Sequence, residues 1–266
     1  MLLRFPEPYD FSLSTERFRV FGNDLASRWH DGALHRAIAG REVRIGPAPG
    51  GVDVEPLDDE IRRVVEKLLG AEFELDPFVS WAAGQPVLAE IVPRLKGFRP
   101  PLVPDPFEAL VTSITAQQVS LFAATAIRNR LIERFGEQVG LAHAFPARER
   151  IAAATKAELV ATGFSGRKAE YVIGLARAEI DLDDLAALDD DAIRTQLTAL
   201  RGLGPWTAEL FLACHLARSR AWPVGDLALR KAVDLFYGLD VIQLGPRLDP
   251  FQNLSAHYLL TAARTP

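Results

Sequence analysis

The 266-residue sequence contains a single cysteine, Cys214. One thiol in an apolar run can form no internal disulfide and cannot hold a metal cluster alone, which points to a reducing compartment. The five histidines, His30, His35, His143, His215 and His257, are scattered without ligand spacing, so no catalytic metal is expected. No continuous apolar stretch approaches the roughly 20 residues that span a bilayer. The N-terminal MLLRFPEPYD meets proline and acidic residues before a signal-like apolar core can form. A cytoplasmic protein with no membrane partner is expected. Also missing are a repeat long enough for a solenoid and any low-complexity tract.

Nor is there an overall excess of basic charge: the net charge is −5, where a phosphate-binding surface usually calls for bases. That sum hides an asymmetry. From Pro101 onward there are 17 basic and 19 acidic residues, and seven of the acids fall between Glu179 and Asp191, a stretch without a base. Outside that solvated run the bases lead, so charge neither makes nor excludes a polyanion partner.

What is present is a globular composition, 48% hydrophobic and 24% charged, enough for one or two domains. Residues 1–90 carry short alternating segments, Phe11 to Phe21 and Glu42 to Ile45, broken by the Gly/Pro-rich stretch 46–51, and then a helix-like run from Asp58 to about Leu69. This reads as a mixed strand and helix unit. Residues 91–266, after the proline-rich joint at 97–106, read as helical. Phe107, Leu110, Val111 and Ile114 share a face, and a second apolar run begins at Leu121. Gln117 and Gln118 interrupt the pattern between them, and Ser120 is placed to cap a new helix, so a helix-to-helix corner is expected there.

The most informative segment is Leu200-Arg-Gly-Leu-Gly-Pro-Trp-Thr-Ala208. Gly202 and Gly204 allow a sharp turn with positive φ and remove side-chain bulk from an approaching group, and Pro205 fits the first turn of a helix. A tight turn ending in free helix N–H groups is an anion site, although two glycines alone also fit an ordinary corner between helices. Downstream, Asp226 precedes a helix-like run and suits an N-cap. Trp206 suits the core of an amphipathic helix, and Ser165, Arg167 and Lys168 form a polar turn that solvent alone would satisfy.

The string Leu-x-Gly-x-Gly-x-x-Thr-Ala, followed by Trp222-Pro-Val-Gly-Asp226, resembles the helix-hairpin-helix (HhH-GPD) DNA glycosylase superfamily, and within it the 3-methyladenine DNA glycosylase II family. Pro8-Tyr9-Asp10, Pro106-Phe107-Glu108 with Gln117-Gln118-Val119-Ser120, and residues 163–169 extend the likeness over nearly the whole chain. The resemblance implies an α+β fold: an N-terminal antiparallel sheet with helices, then a mostly α-helical, two-lobed glycosylase domain with its hairpin at 200–208 and the active cleft between the lobes.

It further implies a monomeric, nucleoid-associated enzyme that flips damaged, alkylated purines out of double-stranded DNA and excises them hydrolytically. Asp226 takes the position of the catalytic carboxylate. An anion beneath the sugar stabilises the positive charge that develops as the N-glycosidic bond breaks, and it orients the attacking water. Trp206 stands where bifunctional relatives carry a Schiff-base lysine, so the strand is left uncut and an abasic site remains. By the same resemblance, Trp206, Leu210, Leu227 and Leu260 line the base pocket. Gln117, Gln118, Ser165, Arg167, Lys168, Gly202, Gly204 and Thr207 meet DNA, with Gln118 filling the gap left by the flipped base. Leucines where broad-range relatives have aromatics imply weaker cation–π discrimination. No cofactor is implied, apart from a monovalent cation that some relatives suggest at the hairpin carbonyls. The competing readings are a non-catalytic helix-hairpin-helix DNA-binding protein and a glycosylase for deaminated bases.

Overall fold

The computed structural model describes residues 1–264. Strands β1 (Leu2–Arg4), β2 (Arg28–His30), β3 (Ala33–Ile38), β4 (Arg41–Ala48) and β5 (Gly51–Glu55) form one antiparallel sheet in the order β1-β5-β4-β3-β2. The stretch at 46–51 does not interrupt the sheet. Gly46, Pro47 and Ala48 continue β4, paired with Asp53, Val52 and Gly51. Gly51 is required, because a Cβ there would lie 2.1 Å from the Leu3 carbonyl oxygen.

The expectation of strand-like alternation from Phe11 to Phe21 is corrected. This segment forms helix α1 (Phe11–Ser14) and a 3-10 turn, Glu16–Phe18. Asp10 caps α1 by accepting from the Leu13 N–H at 2.9 Å, and Thr15 Oγ1 donates to the Phe11 carbonyl at 2.6 Å. Such local bonds to side chains outweigh the apolar alternation. Helix α2 (Asp59–Leu68), capped by Asp58, lies over the sheet, and its Ile61, Val65 and Leu68 join Val43, Ile45, Val52 and Val54 in one core.

Two short helices follow, α3 (Leu75–Ala82) and α4 (Leu88–Arg94), and then a helical series. It comprises α5 (Pro106–Ala116), α6 (Leu121–Phe135), α7 (Arg148–Ala152), α8 (Lys156–Ala161), α9 (Gly166–Arg177), α10 (Asp190–Ala199) and α11 (Pro205–Cys214). The chain continues with α12 (Leu227–Tyr237), α13 (Val241–Leu244) and α14 (Gln252–Ala262). A two-strand hairpin, β6 (Gln138–Val139) with β7 (Ala142–His143), sits between α6 and α7.

The helices divide between two cores. One runs from Phe107 to Ala221 and includes Ile114, Leu131, Val172, Leu203 and Phe211. The other joins Phe73, Phe78, Leu88 and Leu102 to Trp222, Val233, Leu244 and Leu259, so α3 and α4 pack against helices from the far end of the chain. The hairpin belongs to the first core, and Asp226 stands at the edge of the second.

A charged cluster fastens the sheet to the first lobe. Glu108 on α5 is 3% exposed and receives Arg36 from β3 and Arg128 from α6; Arg128 also holds Asp24 at 2.5 Å. Burial alone would raise the Asp24 carboxyl, but the charge and hydrogen bond of Arg128 override it and hold it below the ordinary aspartate range.

Candidate functional site

The hairpin is built as its residues dictate, with one correction. Gly202 has φ +95°, and a Cβ on it would lie 2.1 Å from Tyr171 Cγ, so both conformation and packing demand glycine. Gly204 does not share the positive φ expected for it: at φ −102° it is extended and forms the N-cap of α11. Its role is steric openness, since a Cβ there would meet nothing within 4 Å. Pro205 opens α11, as its missing N–H allows. The following N–H groups of the first turn lie at an open helix terminus, a partial positive charge.

The corner at 117–118 meets this hairpin. Gln117 ends α5, and its Nε2 donates to the Gly202 carbonyl at 2.9 Å, with Thr207 Oγ1 at 3.4 Å. Thr207 is buried and supports the turn from beneath. Gln118 is exposed with φ +56°, a conformation that side-chain-bearing residues rarely adopt. Ser120 caps α6 as expected, accepting from Ala123 N–H at 3.2 Å. Val119, Leu121 and Phe122 are all exposed beside Gln118, giving the corner an apolar rim.

A second helix-turn-helix unit, α8 to α9, carries Ser165 at the N-cap of α9, accepting from Lys168 N–H at 3.3 Å. Arg167 is exposed. Lys168 is engaged internally: its Nζ donates to the Thr115 carbonyl at 2.9 Å, and burial pulls its ammonium below the usual lysine range. Gln117, Gln118, Ser165, Arg167, Lys168, Gly202 and Gly204 line one open groove of about 640 Å³, with Tyr171 and Leu203 completing its wall. The residues drawn together in sequence reasoning therefore share a surface, except Thr207, which lies below it.

Asp226 is the N-cap of α12. Its Oδ1 accepts from Leu229 N–H at 2.8 Å, which fixes the carboxylate at the helix mouth, half-buried. The preceding Gly225 packs on Trp206: a Cβ at 225 would stand 3.3 Å from the Trp206 Cβ and Cδ1. The loop residue just before Asp226 thus packs on the hairpin helix. Trp206 Nε1 is buried without a hydrogen-bond partner. Leu210 and Leu260 are half-buried, Leu260 against the second core, and Leu227 is 64% exposed beside Asp226.

Several residues of the site escaped sequence reasoning. Glu209 on α11 accepts from Arg194 Nε at 2.6 Å and, through its other oxygen, from Trp222 N–H at 2.9 Å. It anchors the loop that delivers Asp226. Trp222 is held further by its Nε1, which donates to the Val241 carbonyl at 2.9 Å. Arg201, 77% exposed by its side chain, stands over the Tyr171 ring at 5.8 Å, next to the groove. Of Glu209 and Arg201, only Arg201 had a readable sign, a base inside the hairpin; Trp222 stands in the motif that leads to Asp226.

Chemically, the arrangement offers helix-terminal N–H groups and exposed bases toward an anionic backbone, a strained polar tip, and a carboxylate fixed by its own helix N-terminus. Residues 111–243 match the HhH-GPD superfamily base excision DNA repair protein family. The chain is 27% identical to the DNA-3-methyladenine glycosylase of Bacillus subtilis across 78% of this chain and 75% of that protein. It is 27% identical to DNA-3-methyladenine glycosylase 1 of Schizosaccharomyces pombe across 76% of this chain and 90% of that protein. Other relatives are longer, and the chain spans 57% and 44% of two of them. The solved 3-methyladenine DNA-glycosylase from Archaeoglobus fulgidus superposes with a TM-score of 0.90, covering 100% of this chain and 99% of that one; at 24% identity the likeness speaks for the fold.

Proposed function

From the premise that this chain belongs to the HhH-GPD superfamily of base excision DNA repair proteins, we propose that it is a monofunctional DNA glycosylase that excises alkylated bases from duplex DNA. The observation that carries the reading is the contact of Trp206 with Gly225, which brings the hairpin helix against the loop that ends in Asp226. Relatives named as 3-methyladenine glycosylases support the substrate class.

In this reading the groove beside the hairpin takes the phosphate backbone: the N–H groups of Gly204, Trp206 and Thr207, with Ser165, Arg167 and Arg201, position it without reading sequence. Gln118 fills the vacated stack, its backbone held in the left-handed region by the α5–α6 corner, while Val119 and Phe122 face the opened base step. Asp226 lies beneath the sugar. As the C1′–N bond breaks, its charge stabilises the oxocarbenium-like centre, and it accepts the proton of the attacking water. Trp206 places no amine at C1′, so no imine forms and the product is an intact abasic strand.

A monovalent cation at the hairpin is an addition that no step requires. The Leu200 and Gly202 carbonyls already accept protein N–H groups, from Leu203 and Gln117, and each keeps one lone pair that such an ion would use. The protein acts as a monomer on cytoplasmic, nucleoid-associated DNA. No helix among the described residues is long and apolar enough to cross a membrane.

The test is base release from methylated duplex by wild type and Asp226→Asn, with and without alkali. Release by wild type only, with strand breaks appearing only after alkali, is the expected result. Strand breaks before alkali would refute monofunctional action. Tight binding to damaged duplex without release by either protein would favour a non-catalytic binder.

A further inference from the structure

Three elements meet near the face of α11 that begins at Trp206. Trp206, Leu210 and Cys214 recur at four-residue intervals and share one face of α11, with Gly225 packed at its Trp206 end. On α14 and its last turn, His257, Leu260 and Arg264 share a face at i, i+3, i+7 spacing. The third wall is the 3-10 turn at Glu16–Phe18, which sequence reasoning did not single out. Glu16 pairs with Arg264 at 3.8 Å, and Arg17 Nη1 donates to the Pro101 carbonyl at 3.4 Å. The segment after Pro101 is fastened to the end of α11: Val103 N–H donates to the Cys214 carbonyl at 2.8 Å, and His215 Nδ1 bonds the Val103 carbonyl at 2.7 Å.

Arg17 therefore stands opposite the Cys214 end of the α11 face. It is exposed and has no carboxylate partner among the described residues, whereas the charge of Arg264 is offset by Glu16. The electrostatics agree with the placement. Burial pushes the Cys214 thiol up, and the Arg17 and Asp226 charges act on that same thiol in opposite directions. His257 is pushed down to about 3 by burial, then by the charges of Arg17 and Arg264. Its Nε2 and the Trp206 Nε1 are buried without partners.

We propose that Arg17 reaches into the space that receives the extruded base and selects lesions that are electrically neutral and present hydrogen-bond acceptors, over purines made cationic by ring methylation. The inference rests on the glycosylase reading and narrows it. When the C1′–N bond breaks heterolytically, its electron pair goes to the base. A cationic purine accepts that pair and leaves neutral, so it needs no help. A neutral purine leaves as an anion unless a donor meets it, and a guanidinium supplies both charge and N–H groups. Water oxygen then bonds C1′, and its proton passes by way of Asp226 to the departed base or solvent. Toward a cationic purine the same guanidinium is repulsive.

The test compares kcat/KM of wild type, Arg17→Phe and Arg17→Lys on duplexes carrying ethenoadenine or hypoxanthine, both neutral, or N7-methylguanine, which is cationic. Arg17→Phe should lose about 10- to 100-fold on the neutral lesions, the scale of a charge-assisted hydrogen bond. Activity on N7-methylguanine should hold or rise, and Arg17→Lys, which keeps the charge, should recover part of the loss. The unfolding midpoint is expected to stay unchanged because the side chain is exposed, which separates selectivity from folding. An unchanged neutral-to-cationic ratio in Arg17→Phe would overturn the inference and leave the glycosylase standing. Absence of base release from every duplex by wild type would instead overturn the glycosylase reading, and this inference with it.

Discussion

The two hairpin glycines offer a paired perturbation whose outcomes should diverge. Gly202→Ala forces a side chain into φ +95° and places its Cβ 2.1 Å from Tyr171 Cγ, in a turn whose carbonyl is bonded by Gln117. The left-handed backbone costs about 1–2 kcal/mol, and overpacking against a ring adds about 1–3 kcal/mol. Together they predict a loss of about 2–5 kcal/mol. Gly204→Ala adds its methyl to open space at φ −102°, so the only folded-state cost is a poorer N-cap, about 1 kcal/mol or less. In the proposed reading its methyl would stand where the phosphate approaches, and duplex affinity should fall. Thermal unfolding and duplex titration of both variants separate the effects: Gly202→Ala loses stability, Gly204→Ala loses affinity at nearly native stability. Equal destabilisation by the two would refute the distinction drawn between a turn glycine and an open glycine.

Other predictions follow from the buried charges. Glu108→Gln removes the carboxylate shared by Arg36 and Arg128 and should cost about 3–5 kcal/mol, read as a fall of roughly 6–20 °C in unfolding midpoint for a chain of this size; a fall under about 2 °C would contradict it. Because the Asp24 carboxyl is held below its ordinary range, its contribution is fully present above the unfolded value of about 4 and is lost as pH falls through the lower folded value. The midpoint gap between wild type and Asp24→Asn should therefore be widest near neutrality and shrink in acid. Glu209→Gln weakens the anchor on Trp222 and should lower kcat by about tenfold or more with little change in duplex affinity; a loss of affinity alone would argue against a positioning role. Asp226→Asn keeps a capping side chain, so stability should hold while kcat falls by at least about 10²-fold.

Much of this site was legible because its parts are local. The hairpin at 200–208, the Ser120 cap, the corner at Gln117-Gln118 and the cap at Asp226 are each written within a few residues, and the structure places them as read. The misread features depend on what arrives from elsewhere. Gly202 and Gly204 look equivalent until Tyr171 packs against one of them. Lys168 looks like a free base until Thr115 claims it. Arg17 and Glu209 carry no local sign at all, since each matters only through groups distant in sequence. The alternation after Phe11 misled because two capping bonds outweigh a weak period over so short a span.

The second core has a consequence for the order in which the molecule can be made. Its members come from residues 73–102 and again from Trp222 onward, with the whole first lobe between them. A nascent chain that has emerged as far as Ala221 already holds the residues of its hairpin, yet its early helices wait with an unmatched apolar face. The second core assembles only when α12 to α14 arrive, so Asp226 is seated last, and a chain interrupted before it would lack the carboxylate on which the proposed chemistry rests.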